Sequence, residues 1–218
     1  MNRRVFVTGG TGYLGSRLIP ILAARGYEVV ALVRPGSEKK LPEGCIAVVG
    51  NALDRASYAS HVAGCDTFVQ LVGVAHPSPA KAKEFVSIDQ KSAMEAIQAA
   101  SQSGVKHFVY VSVAHPAPVM HAFIAVRTAC EEALRAACAR GTMNATILRP
   151  WYILGPGHWW PYVLVPVLCI LERIPSTGES ARRLGFVSIQ QMLRALADAV
   201  MQPAEGVRVV EVPGIRGR

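Results

Sequence analysis

The chain has 218 residues, of which 51% are apolar and 17% charged, and carries a net charge of +8. That length and composition suit one globular domain with a sizeable core and exclude a disordered or fibrous chain. No secretory leader is expected, since strand-like residues begin by position 3, and the longest uninterrupted apolar stretch, 162–171, is about half of the ~20 residues a membrane span needs.

The first informative element is the run Arg3-Arg4-Val5-Phe6-Val7, followed directly by Thr8-Gly9-Gly10-Thr11-Gly12-Tyr13-Leu14-Gly15. Glycines at 9, 12 and 15 fall where a strand should end and a helix begin. Gly9 permits a tight turn, Gly12 lets backbone approach phosphates, and Gly15 allows close helix packing on the sheet. The helix N-terminus adds N–H groups and a partial positive charge, so the pattern predicts a pyrophosphate cradle. An amphipathic helix over 13–25, with Leu14, Leu18, Ile21 and Leu22 on one face, supplies the context that the motif requires.

A second strand is predicted over 28–33, ending at Arg34-Pro35-Gly36-Ser37. An acidic residue at that strand end would grip a ribose 2′-hydroxyl, as in NAD binders. The position here is Arg34, whose planar guanidinium suits a 2′-phosphate, so NADP(H) is favoured over NAD(H). Ser37, Lys39 and Lys40 are candidate additions to the same anion pocket.

Further strands are predicted over 45–49, 67–72, 106–112, 143–148 and 207–211, alternating with helices over 55–62, 80–102, 119–140 and 188–202. Continuous Val/Ile/Leu runs such as Phe108-Val109-Tyr110-Val111 read as strands buried on both faces, and intervening crossover helices imply a parallel sheet. The expected architecture is a doubly wound α/β Rossmann-type fold over the whole chain, with a small C-terminal cap near 150–185. Ligands bind such sheets at the carboxyl ends of the strands.

The cysteines at 45, 65, 130, 138 and 169 have neither pair nor metal spacing, and read as reduced thiols of a cytoplasmic protein. Lys and Arg are dispersed along the chain, which argues against nucleic acid as a partner. Arg173, Arg182 and Arg183 flank the apolar stretch 162–171. Contact with an anionic membrane surface is the lesser reading of that pairing, a buried helix beside a solvated loop the greater.

Several of these segments together resemble a family. They are the glycine-rich opening, Arg34, Gly50-Asn51-Ala52-Leu53-Asp54, Gln70-Leu71-Val72-Gly73, Tyr110-Val111-Ser112, and Leu148-Arg149-Pro150-Trp151-Tyr152-Ile153-Leu154-Gly155-Pro156-Gly157. The chain resembles the short-chain dehydrogenase/reductase superfamily, in its atypical NmrA-like, NAD(P)-binding branch. The resemblance implies that Gly9, Thr11, Gly12, Tyr13, Leu14 and Gly15 hold the pyrophosphate. It also implies that Asn51, Ala52 and Leu53 approach the adenine, and Leu71, Val72 and Gly73 the ribose and pyrophosphate. Pro150 would lie beside the nicotinamide and substrate.

The superfamily's tyrosine and lysine, four residues apart after the fifth strand, are replaced here by Phe123 and Arg127. Phenylalanine has no proton to give, and arginine stays charged near neutral pH, so Arg127 can only donate hydrogen bonds to a ribose or substrate oxygen. Ser112 matches the family serine and either holds a carbonyl oxygen or satisfies backbone. His76, His115 and His121 are alternative proton donors, with His115 first and Tyr152 a further candidate. No metal site is expected. His158-Trp159-Trp160-Pro161-Tyr162-Val163-Leu164 would either line a pocket for an apolar or aromatic small-molecule substrate or pack the cap.

The implied activity is NADP(H)-dependent hydride transfer to an apolar, aromatic, flavin, quinone or carbonyl acceptor. A non-catalytic redox sensor or scaffold is the alternative, and an epimerase or dehydratase-like enzyme the third reading. Oligomeric state is left open by these residues.

Overall fold

A computed structural model describes residues 3–141, 143–157 and 182–217. Its main sheet has seven strands: β1 (Arg4–Thr8), β2 (Glu28–Val33), β3 (Cys45–Val49), β4 (Thr67–Gln70), β5 (His107–Val111), β6 (Asn144–Arg149) and β9 (Val207–Glu211). Their order is β3-β2-β1-β4-β5-β6-β9 and every pairing is parallel. Consecutive strands run outward from β1 in one direction and from β4 in the other. The doubly wound expectation is therefore met, and the order reverses between β1 and β4, where such sheets open a crevice.

Side-chain alternation on each strand divides the core in two. Phe6, Phe68 and Phe108 project to one face and stack at centroid separations of 5.1 and 5.2 Å. There they meet Ala96 and Ala100 of α4 (Lys91–Gln102) and Leu134 of α5 (His121–Ala139). Val5, Val7, Val69 and Val109 project to the other face, against Leu18 and Leu22 of α1 (Gly15–Ala23) and Met192 and Leu196 of α6 (Ile189–Met201). Each fully buried residue of this size contributes about 1.5–3 kcal/mol. Phe68→Ala, at the centre of the aromatic stack, would cost about 3–5 kcal/mol.

Some local boundaries differ from expectation. The helix expected over 55–62 is a 3₁₀ turn, Arg55–Ser57, and a short α2, Ala59–Val62. Asp54 caps the 3₁₀ turn by accepting from the Ala56 N–H, a local bond that competes with α-helix continuation. The segment expected as one helix over 80–102 opens with a 3₁₀ turn, Pro79–Lys81, and α3, Ala82–Glu84. It then widens into a π turn, Phe85–Gln90, before α4. Two three-residue strands, β7 (Tyr152–Leu154) and β8 (Phe186–Ser188), pair in parallel as a second sheet, and α7 (Val212–Arg216) follows β9. Elements of three to five residues are too short to carry a readable period. Segment 158–164, the apolar stretch 162–171, Cys169 and Arg173 lie outside the described residues, as does most of the expected cap. Among the described residues, no helix is long and apolar enough to cross a membrane.

Candidate functional site

Two adjoining cavities lie over the carboxyl ends of the strands, at the crevice between β1 and β4. One, of about 550 Å³, is walled by Gly9, Thr11, Gly12, Arg34, Asn51, Ala52, Leu53, Leu71 and Val72, with Lys81, Glu84 and Ile88 opposite. The other, of about 380 Å³, is walled by Tyr13, Leu14, Gly15, Gln70, Ser112, Phe123, Arg127, Pro150, Trp151, Tyr152 and Ile153. Gly9, Gly12, Leu71, Gly73, Val74 and Ala75 belong to both, so the cavities form one cleft.

The glycine loop leaves no room for side chains at its three spaced glycines. Gly9 has φ +71°, and a Cβ there would lie 3.0 Å from the Leu71 carbonyl carbon, so it allows the loops after β1 and β4 to touch. A Cβ on Gly12 would stand 3.1 Å from the Gly9 oxygen, which the Gly12 N–H itself binds at 2.9 Å. A Cβ on Gly15 would overlap that same oxygen. Gly15 is thus required by the loop's own first turn. No side chain caps α1 and no acidic residue sits in its first turn, leaving its amide end and dipole suited to an anion. Thr8 braces the crevice: its hydroxyl donates to Gln70 Oε1 at 2.5 Å, and Gln70 Nε2 donates to Ser92 at 3.1 Å.

Arg34 is exposed at the end of β2, on the wall of the larger cavity. Asn51 organises its own loop, accepting from the Leu53 N–H at 3.0 Å while its N–H donates to Ser57 Oγ at 2.9 Å.

In the smaller cavity, Phe123 and Arg127 lie one turn apart on α5. The Phe123 ring packs on Phe85 at 4.9 Å and beneath the Arg127 guanidinium at 5.0 Å. Arg127 turns inward. It pairs with buried Asp89 through Nη2, and its Nη1 donates to the Val111 carbonyl at 2.8 Å and the Tyr110 hydroxyl at 3.3 Å. Burial pushes the Tyr110 hydroxyl up, against the pull of Arg127, so it stays protonated. Arg127 Nε, also buried, has no hydrogen-bond partner among the described residues. Sequence reasoning had no place for Asp89 or Phe85. The available signal was their i, i+4 spacing, which matches that of Phe123 and Arg127.

The expected proton donors separate. Ser112 and Tyr152 border the cavity, Tyr152 meeting Phe186 edge-on at 6.0 Å. His76 borders it too, exposed and in a left-handed backbone conformation (φ 50°). His115 does not. It faces Glu131, 3.6 Å away, in a buried cluster, and His121 is exposed at the start of α5. Burial raises the Glu131 carboxyl, but the hydrogen bonds and positive charge of Arg149 outweigh it and hold the group below the usual range. Arg149 in turn reaches Glu211 at 2.8 Å.

A family model described as NAD(P)H-binding matches residues 9–158. The ceramide reductase of Caulobacter vibrioides is 30% identical over 220 residues, covering 97% of this chain and 65% of that protein. A 3-beta-hydroxysteroid dehydrogenase of Mycolicibacterium neoaurum is 31% identical over 115 residues, covering 50% of this chain and 31% of that one. The chain therefore spans less than two thirds of the length of these relatives. Among solved structures, MoeE5 in complex with UDP-glucose and NAD superposes with a TM-score of 0.71 at 23% identity, over 97% of this chain and 79% of that one. At that identity the likeness is one of fold.

Proposed function

The chain belongs to the NAD(P)H-binding family, and from that premise we propose that it is an NADP(H)-dependent oxidoreductase acting on an apolar or aromatic small molecule. The cleft carries this reading: it runs from Arg34 past the glycine loop to Tyr152 along the strand ends. Its residues fit a dinucleotide. The loop at Gly9, Gly12 and Gly15 has no room for side chains, the start of α1 suits a diphosphate, and Asn51–Leu53 wall the end suited to adenine. When bound, the nicotinamide would supply the hydride.

The chain's own residues would orient the partners and exclude water. Phe123, Trp151, Tyr152 and Ile153 offer apolar surface. The ceramide reductase and hydroxysteroid dehydrogenase relatives bear names of substrates with large apolar bodies, in keeping with such a wall. Without a tyrosine at 123, a flavin or quinone acceptor takes its proton from solvent. A carbonyl acceptor would instead draw on Tyr152 or Ser112, since His115 faces Glu131. Preference for NADP(H) rests on Arg34, as the MoeE5 complex contains NAD.

Fluorescence titration with NADPH and NADH tests the binding, followed by NADPH oxidation assays across flavin, quinone and carbonyl acceptors. Uptake of neither dinucleotide overturns the proposal. Binding with background turnover throughout favours the second reading, a non-catalytic NADP(H) sensor or scaffold, which the Phe123–Arg127–Asp89 arrangement motivates. In a degenerate enzyme Phe123→Tyr should raise carbonyl reduction at least tenfold. In a sensor it should not.

A further inference from the structure

We infer that Asp89 and Arg127 form a strut fixing the midpoint of the cleft, with Arg127 a positioning residue for the dinucleotide and Asp89 its anchor. The inference rests on the dinucleotide reading above. Asp89 is 1% exposed and Arg127 8%. One Asp89 oxygen takes Arg127 Nη2, and the other accepts the Val74 N–H at 2.9 Å. Through Nη1, Arg127 holds the carbonyl of Val111 at 2.8 Å. The pair therefore ties the chain just past β4 to the end of β5.

What it ties is the wall common to both cavities. Gly73 and Val74 border each of them, and Gly73 is fitted to the strut: a Cβ there would stand 2.7 Å from Arg127 Nη2 and 3.1 Å from Asp89 Oδ1. The rigid guanidinium fork meets a carboxylate and a carbonyl at once, which the single ammonium of a lysine does less well. The π turn Phe85–Gln90 presents Phe85 and Asp89 to α5 as two matched rungs, Phe85 on Phe123 and Asp89 on Arg127. Turns of this kind recur at functional sites.

A ligand spanning both cavities needs this joint, whereas one confined to the adenosine end does not. The test is calorimetric titration of NADPH and of ADP against the intact chain, Asp89→Asn, Arg127→Met and Gly73→Ala, with thermal melts alongside. Each variant should weaken NADPH at least tenfold more than it weakens ADP. Gly73→Ala keeps both charged partners and serves if the other two do not fold. The Gly73→Ala/Arg127→Met double variant should lose no more than the worse single, because both disturb one strut. Parallel losses of NADPH and ADP would mean general loosening and overturn the inference. So would unchanged NADPH affinity in Gly73→Ala, or additive losses in the double variant. Failure of the unaltered chain to bind NADPH would sink the dinucleotide reading, and this inference with it.

Discussion

The two ends of the cleft are made by different means. The end around Gly9, Asn51 and Arg34 is a backbone construction: glycines remove side chains, short loops satisfy themselves, and one exposed cation stands at the rim. The end around Phe123, Ser112 and Tyr152 is a side-chain construction. Its walls depend on Phe85 meeting Phe123, Asp89 meeting Arg127, and Glu131 drawing together Arg149 and His115. A backbone cradle tolerates little change in its glycines, and it recognises what all dinucleotides share. A side-chain lattice can be rewritten residue by residue on an unchanged fold.

The sharpest way to break this contrast is Gly15→Ala. Its Cβ would overlap the Gly9 oxygen, so the loop must rebuild, at a cost of about 4 kcal/mol. NADPH and ADP binding should then vanish together, unlike the selective loss expected for the strut.

Next in size is Glu131→Gln, which leaves Arg149 with Glu211 as its remaining carboxylate among the described residues and should lower stability by about 2 kcal/mol in denaturant titration. The same substitution sets a pH dependence. The Glu131 carboxyl is held below its unfolded value of about 4.3. Its contribution is therefore complete above that pH and is lost as the pH falls through the folded value. The unaltered chain should lose stability on that acid limb more steeply than Glu131→Gln, and parallel curves would refute the assignment.

Arg34→Ala should weaken NADPH about tenfold, equivalent to about 1.4 kcal/mol, while leaving NADH unchanged. Equal effects on both would remove the 2′-phosphate role. The smallest change is expected of Phe123→Tyr, within about 0.5 kcal/mol in stability and twofold in NADPH affinity. A large loss of affinity would show that the aromatic rung shapes the backbone end as well.

The strand pattern and the glycine loop were legible because their signals are local. Val5–Val7 with Gly9, Gly12 and Gly15 specifies a strand, a turn and a helix start within a dozen residues, whatever the remainder does. Phe108–Val111 likewise declares a strand buried on both sides. Arg34, Asn51–Leu53 and Leu71–Gly73 could be placed on the cleft because each follows a strand of the same parallel sheet.

The chemistry of the other end lay beyond that reach. His115 looked well placed for catalysis, since it closely follows β5, yet Glu131 on a neighbouring helix claims it. Arg127 looked like a lysine substitute free to serve the cleft; it does border the cleft, but Asp89, 38 residues earlier in the chain, holds one of its terminal nitrogens and the Val111 carbonyl the other. A sequence fixes which residues can ionise, stack or bend, because those are properties of single side chains and short runs. Which buried charge neutralises which is decided only when helices pack. An unpaired ion in a dry interior is costly enough that partners far apart in the chain are driven to meet.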